Sequence, residues 1–97
     1  MTSKQRAFLR AAANKLEPIA QVGKAGVTPE QTASLDEVLE ARELIKISVL
    51  ESCEDRPKDA ADTISGRTKS EIVQVVGRKI VLYRRSVKKP VVELPKG

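Results

Sequence analysis

The residues best placed to do chemistry lie in one stretch, Pro18-Ile19-Ala20-Gln21-Val22-Gly23-Lys24-Ala25-Gly26-Val27-Thr28-Pro29. Gly23 and Gly26 bracket Lys24 and Ala25. Glycines at that spacing let the backbone turn sharply and let another molecule approach without meeting a Cβ. Thr28 is a good N-cap, Pro29 suits the first helical position, and Gln31 stands where a capping box places Glu or Gln. A helix starting there offers unpaired N–H groups and the positive end of its dipole. Lys24 adds a full charge at the loop tip. This combination suits an anion, above all the phosphates of a nucleic-acid backbone. A plain strand-to-helix turn would use the same glycines, so the rest of the chain has to decide.

Other chemistries find little support. The chain has no histidine, which excludes Ser-His-Asp and Cys-His arrangements and histidine-ligated metal sites. Gly23-Lys24-Ala25-Gly26 has neither the spacing nor the ending of a Walker loop, and it lacks the three glycines of a dinucleotide fingerprint. Cys53 is the sole cysteine; it reads as a small apolar filler, without a disulfide or metal cluster. Asp36 and Glu40 are one helical turn apart and read as solvent-facing. No catalysis, cofactor or small-molecule substrate is expected. The aromatics are Phe8, expected in the core, and Tyr83, expected in the core or at a sheet edge. Two aromatics are too few for a base-stacking platform, which favours recognition of backbone and shape.

The net charge of +5 is unevenly spread. Residues 1–29 carry +4, residues 30–43 carry −4, residues 44–66 carry −2 and residues 67–97 carry +7. A basic surface for a polyanion follows from that asymmetry. No apolar run is long enough to span a bilayer, and no helix pairs a basic face with aromatic anchors. The N-terminus shows no signal-peptide pattern, so a cytoplasmic protein without membrane association is expected.

The elements that must position the loop can be read in order. Residues 3–16 form a helix capped by Thr2 with Gln5 three residues on, and Phe8, Leu9, Ala12, Ala13 and Leu16 make its apolar face. Ile19–Val22 is a short strand, and residues 29–42 a helix with a stripe of Leu35, Val38 and Leu39. Leu44–Leu50 alternates as a strand, with Ile45, Ile47 and Val49 on one face and Lys46 and Ser48 on the other. Asp55 and Pro57 open a third helix that Ser65-Gly66 stops, and Arg67–Ser70 is a basic loop. Glu71–Val76 and Lys79–Arg84 form a hairpin turning at Gly77-Arg78. The result is a single-domain α/β sandwich, order α-β-α-β-α-β-β, on a four-stranded mixed sheet. The domain is expected over residues 1–86, followed by a loose, basic, proline-containing tail over 87–97.

Four ordered blocks resemble the CRM domain (chloroplast RNA splicing and ribosome maturation) in its small, stand-alone YhbY-like bacterial form. They are Lys4–Arg10, Pro18–Gly26, Leu39–Lys46 and Gln74–Arg84. The resemblance implies an RNA-binding domain that acts in ribosome assembly on pre-ribosomal particles, chiefly of the large subunit. It also implies a fold similar to the C-terminal domain of bacterial translation initiation factor three. It marks the GxxG loop, here Gly23, Lys24, Ala25 and Gly26, as an RNA-contacting element. The family often has a third glycine where this chain has Ala25. Arg6, Arg10, Lys46, Lys69, Arg78 and Arg84 are candidates to extend the RNA surface. The alternative is a protein-interaction module whose basic face docks an acidic partner.

Overall fold

The computed structural model describes residues Met1–Lys96. Its elements are α1 (Ser3–Ala13), β1 (Ala20–Val22), α2 (Pro29–Arg42), β2 (Leu44–Val49), α3 (Pro57–Thr68), β3 (Glu71–Val76) and β4 (Lys79–Tyr83). The alternation along β2 builds a core on each side of the sheet. Ile45, Ile47 and Val49 point to the face covered by α2 and α3, where they meet Leu35, Leu39 and Ile64. Leu44 points to the opposite face, where Leu9 and Ala13 of α1 pack with Val73, Val81 and Tyr83. β2 is a central strand, so both its faces are apolar at one end or the other.

The strand order is β1-β2-β4-β3. β1 runs parallel to β2, pairing Ala20 with Ile47 and Val22 with Val49. β4 runs antiparallel to both β2 and β3. The hairpin turns at Gly77-Arg78 as expected, and Gly77 has the positive φ, +56°, that a primed turn demands at its first central position. A register shift between Ile72 and Gln74 marks a bulge in β3.

Several sequence expectations need correction. Phe8 is not core; it is 42 % exposed, because Leu9 and Ala13 take the buried line of α1 and leave it on the flank. α3 does not stop at Ser65-Gly66. It continues to Thr68 and ends on Lys69, which is left-handed at φ +56°. Gly66 is a helical residue with open space around it, while Thr68 is buried and donates to the Ile64 carbonyl at 2.8 Å. The residue capping α3 at its start is Arg56, not Asp55, and no side chain caps it.

The acidic end of α2 differs most. Glu43 links α2 directly to β2, is fully buried, and has φ +66°. Its carboxylate accepts the backbone N–H groups of Ser86, Val91 and Val92 at 2.6, 2.5 and 2.6 Å. Glu40 accepts the Ser86 hydroxyl and the N–H groups of Val87 and Lys88. Val92 and Leu94 then pack against the α1-side core, and the Pro95 carbonyl accepts Gln5 Nε2 at 3.1 Å. Residues 86–95 thus form a strap without regular secondary structure, where a loose tail was expected. Its packing carries the folded unit past residue 86.

Candidate nucleic-acid interface

Strand direction gathers the loops. β1 and β2 are parallel and β4 is antiparallel to them, so three connections meet at one end of the sheet. They are Gly23–Gly26 after β1, the segment from Leu50 to Arg56 after β2, and the Gly77-Arg78 turn before β4. Backbone bonds lock them together: Leu50 N–H to the Val22 carbonyl at 2.9 Å, and Val49 N–H to the Arg78 carbonyl at 2.8 Å.

Within the loop, Gly26 N–H donates to the Gly23 carbonyl at 2.9 Å, closing a four-residue turn with Lys24 and Ala25 exposed at its tip. The two glycines are not equivalent. Gly26 has φ +73°, and a Cβ there would lie 3.4 Å from Asp55 Oδ2. Gly23 has an ordinary φ, and a Cβ would only touch the Leu50 side chain at 3.8 Å. Ala25 does not have a positive φ, so this turn does not require a third glycine.

The loop feeds straight into α2. Thr28 caps the helix, its hydroxyl accepting Gln31 N–H at 3.1 Å. The Gln31 side chain does not complete the expected capping box. It donates instead to the Gln21 carbonyl at 2.7 Å, pinning the helix start to β1. The positive end of the α2 dipole therefore stands beside the turn that carries Lys24, an arrangement that attracts anions.

The other sequence-predicted residues divide. Arg78 sits at the loop end, where its guanidinium donates to the Val49 and Leu50 carbonyls at 2.7 and 2.6 Å. Lys46 is half-buried on the α1 side of the sheet. Arg6 turns inward and donates to the Ile72 and Val73 carbonyls at the β3 bulge. Arg10, one turn further along α1, lies on that same flank and is exposed. Lys69 and Arg84 are not brought to the loop. They stand at the far end of the sheet, where β3 begins and β4 ends. Arg84 is moreover consumed internally: it pairs with Asp36, lies 3.7 Å from Glu40, and donates to the Thr68 carbonyl at 3.0 Å. Asp36 does face solvent, as expected, yet it pairs with Arg84, while Glu40 is half-buried and bonded to the strap.

The protonation states follow the wiring. Glu40 is pulled down to about 2 by the Ser86 hydroxyl and the Lys88 and Val87 amides. Burial pushes Glu43 up, but the Ser86, Val92 and Val91 amides outweigh it and hold the carboxyl below its ordinary value. Burial, with Glu43 nearby, raises the Tyr83 phenol. None of these groups belongs to the loop end.

The CRS1/YhbY (CRM) domain model matches residues 1–84, nearly the whole chain and all of the loop-bearing sheet. The chain belongs to the CRS1/YhbY (CRM) domain family. It is 46 % identical over 95 residues to the "Probable RNA-binding protein YqeI" of Bacillus subtilis, covering 98 % of this chain and 99 % of that protein. An "RNA-binding protein" of Haemophilus influenzae is 33 % identical over 86 residues, covering 89 % and 87 %. The solution structure of a hypothetical protein from Staphylococcus aureus superposes with a TM-score of 0.81 at 44 % identity, covering 98 % and 99 % of the two chains.

Sequence reasoning missed two features of this CRM domain. Lys79 shares a sheet face with Lys46 and donates to Ser48 Oγ at 2.6 Å. Cross-strand register, once β4 is known to pair with β2, is the signal that finds it. Glu43 looked like one more acid on a helix. The only hint was a helix running into a strand with no Gly or Asn to take the positive φ between them.

Proposed function

We infer that this protein binds structured RNA, with precursor ribosomal RNA of the large subunit as its target, and acts in ribosome assembly in the cytoplasm. The observation that carries this reading is the exposed Lys24-Ala25 tip, held by a hydrogen-bonded turn against the N-terminus of α2. A phosphate seated there meets a lysine and the positive end of the α2 dipole at once. Arg78 borders the same end. The names of the relatives as RNA-binding proteins support RNA as the polyanion. The role is binding, with affinity drawn chiefly from the sugar–phosphate backbone.

The test is crosslinking in cells, sequencing of the bound RNA, and fractionation of ribosomal particles on a gradient. The protein should migrate with large-subunit precursors and its crosslinks should fall on their RNA. Binding by the purified protein should weaken steeply with salt, each neutralised phosphate adding roughly 0.7–0.9 to the log–log slope. Absence from ribosomal particles together with salt-insensitive binding would overturn the reading, and RNase-resistant capture by an acidic protein would replace it.

A further inference from the structure

α1 covers only half of its side of the sheet. It packs on Leu44, Val73, Val81 and Tyr83, toward the strap end. The half nearer the loop carries a cross-strand row of Gln21 from β1, Ser48 from β2, Lys79 from β4 and Val76 from β3. One row further in, Lys46 and Gln74 flank the buried Val81. Gln21, Lys79 and Val76 are exposed, and Lys46 and Gln74 are half-buried. No helix lies over this row.

The chemistry of the patch is one-sided. Lys46 and Lys79 are diagonal neighbours across β2 and β4, about 7–8 Å apart by sheet geometry. Among the described residues, neither lysine forms an ion pair; Lys79 has only the Ser48 hydroxyl. Gln21 and Gln74 present amides that can donate and accept. The patch contains no aromatic ring on which a base could stack. It is continuous with the loop, because Gln21 stands two residues before Gly23 and Lys79 directly follows Arg78. Arg10 stands on the flank of α1 that bears Arg6, the flank turned to the β3 bulge.

We propose that this uncovered half-sheet is a second RNA subsite, which takes the sugar–phosphate backbone of the strand leaving the GxxG loop. Lys46 and Lys79 neutralise phosphates, and Gln21 and Gln74 hydrogen-bond ribose 2′-hydroxyls. The inference rests on the RNA-binding function proposed above and adds to it a discrimination of RNA from DNA. The 2′-hydroxyl is the group that distinguishes the two at a backbone contact.

The test uses an RNA hairpin with a single-stranded extension, and DNA of the same sequence. Replacing both lysines, Lys46→Gln with Lys79→Gln, should lower the salt slope for RNA by about 1.4–1.8, two phosphate contacts' worth. The Lys46→Arg, Lys79→Arg pair should restore it. Gln21→Ala with Gln74→Ala should narrow the RNA-over-DNA preference while leaving the slope unchanged. On the unaltered protein, RNA should shield Lys46 and Lys79 from amine acetylation read by mass spectrometry, so a poorly folded variant still leaves a decision. Equal acetylation with and without RNA overturns the subsite. If RNA binds and protects Lys24 but not this pair, the subsite fails and the RNA-binding function stands. If the unaltered protein does not bind RNA at all, both fall.

Discussion

The two ends of the sheet solve opposite problems. At the loop end, Lys24 is solvent-exposed and no carboxylate pairs with it among the described residues. At the strap end, Glu40 and Glu43 are saturated with hydrogen bonds from five strap residues, Ser86, Val87, Lys88, Val91 and Val92, and Arg84 is bound to the same helix. The strap end spends its charge on its own backbone; at the loop end Arg78 is likewise bound to the Val49 and Leu50 carbonyls, but Lys24 is left available. A buried carboxylate is tolerable only when its acceptor sites are filled. An exposed lysine costs little and stays free for a partner. Charge counted along the chain therefore says less about function than whether the fold has already used it.

The sharpest way to break this contrast is at Glu43. Glu43→Ala should cost about 3 kcal/mol, because three strap amides lose a charged acceptor. That corresponds to a drop in Tm of roughly 15 °C for a domain of this size. Glu43→Gly relieves the positive φ but also loses the carboxylate, so it should remain clearly less stable than the parent. Thermal unfolding of both variants checks this, and a Gly variant as stable as the parent would make the carboxylate irrelevant.

Loop chemistry should move binding and spare stability. Replacing Lys24 and Ala25 together by Asp keeps both glycines and sets two carboxylates near a helix N-terminus, where they do not harm the helix. They repel phosphate at close range. RNA affinity should fall on the order of 100-fold with Tm unchanged, the affinity loss being about 2.7 kcal/mol. Retained affinity in a folded variant would reduce the loop to a turn.

Within the loop, Gly26→Ala should destabilise by about 1–2 kcal/mol, since its backbone is left-handed and its new Cβ would come into contact with the Asp55 carboxylate. Gly23→Ala should change stability by less than about 0.5 kcal/mol, because it meets neither constraint. Equal effects in the two melting curves would show that the glycines act alike.

Acid should loosen the strap before the loop. Both carboxyls have folded values below their ordinary range, so they stabilise the fold above the unfolded value of about 4.3 and lose that contribution as pH falls through the folded values. For Glu40 the window reaches down to about 2. Amide signals of Val87 and Lys88 should shift or exchange faster across it, while Gly26 keeps its environment. Simultaneous loss at both ends would merge them into one cooperative unit.

Much of this molecule is legible in the chain itself. The period-two alternation of Leu44–Val49 sets two core faces whatever packs on them. Thr2 with Gln5, Thr28 with Pro29, and Gly77 are local devices whose geometry depends on adjacent residues, so their elements start and turn where the sequence says. The four blocks at family spacing identify the family, and Gly23–Gly26 marks the loop. Tertiary structure alone decided the fate of the charges. Nothing near Arg84 in sequence shows that Asp36 will reach it, and nothing near Glu43 shows that residues 86–92 will return to its carboxylate. Lys79 meets Lys46 only because β4 enters between β2 and β3. Caps and turns are set by neighbours within a few residues, whereas burial and pairing are set by segments tens of residues apart, and a chain read in order cannot show which of those will meet.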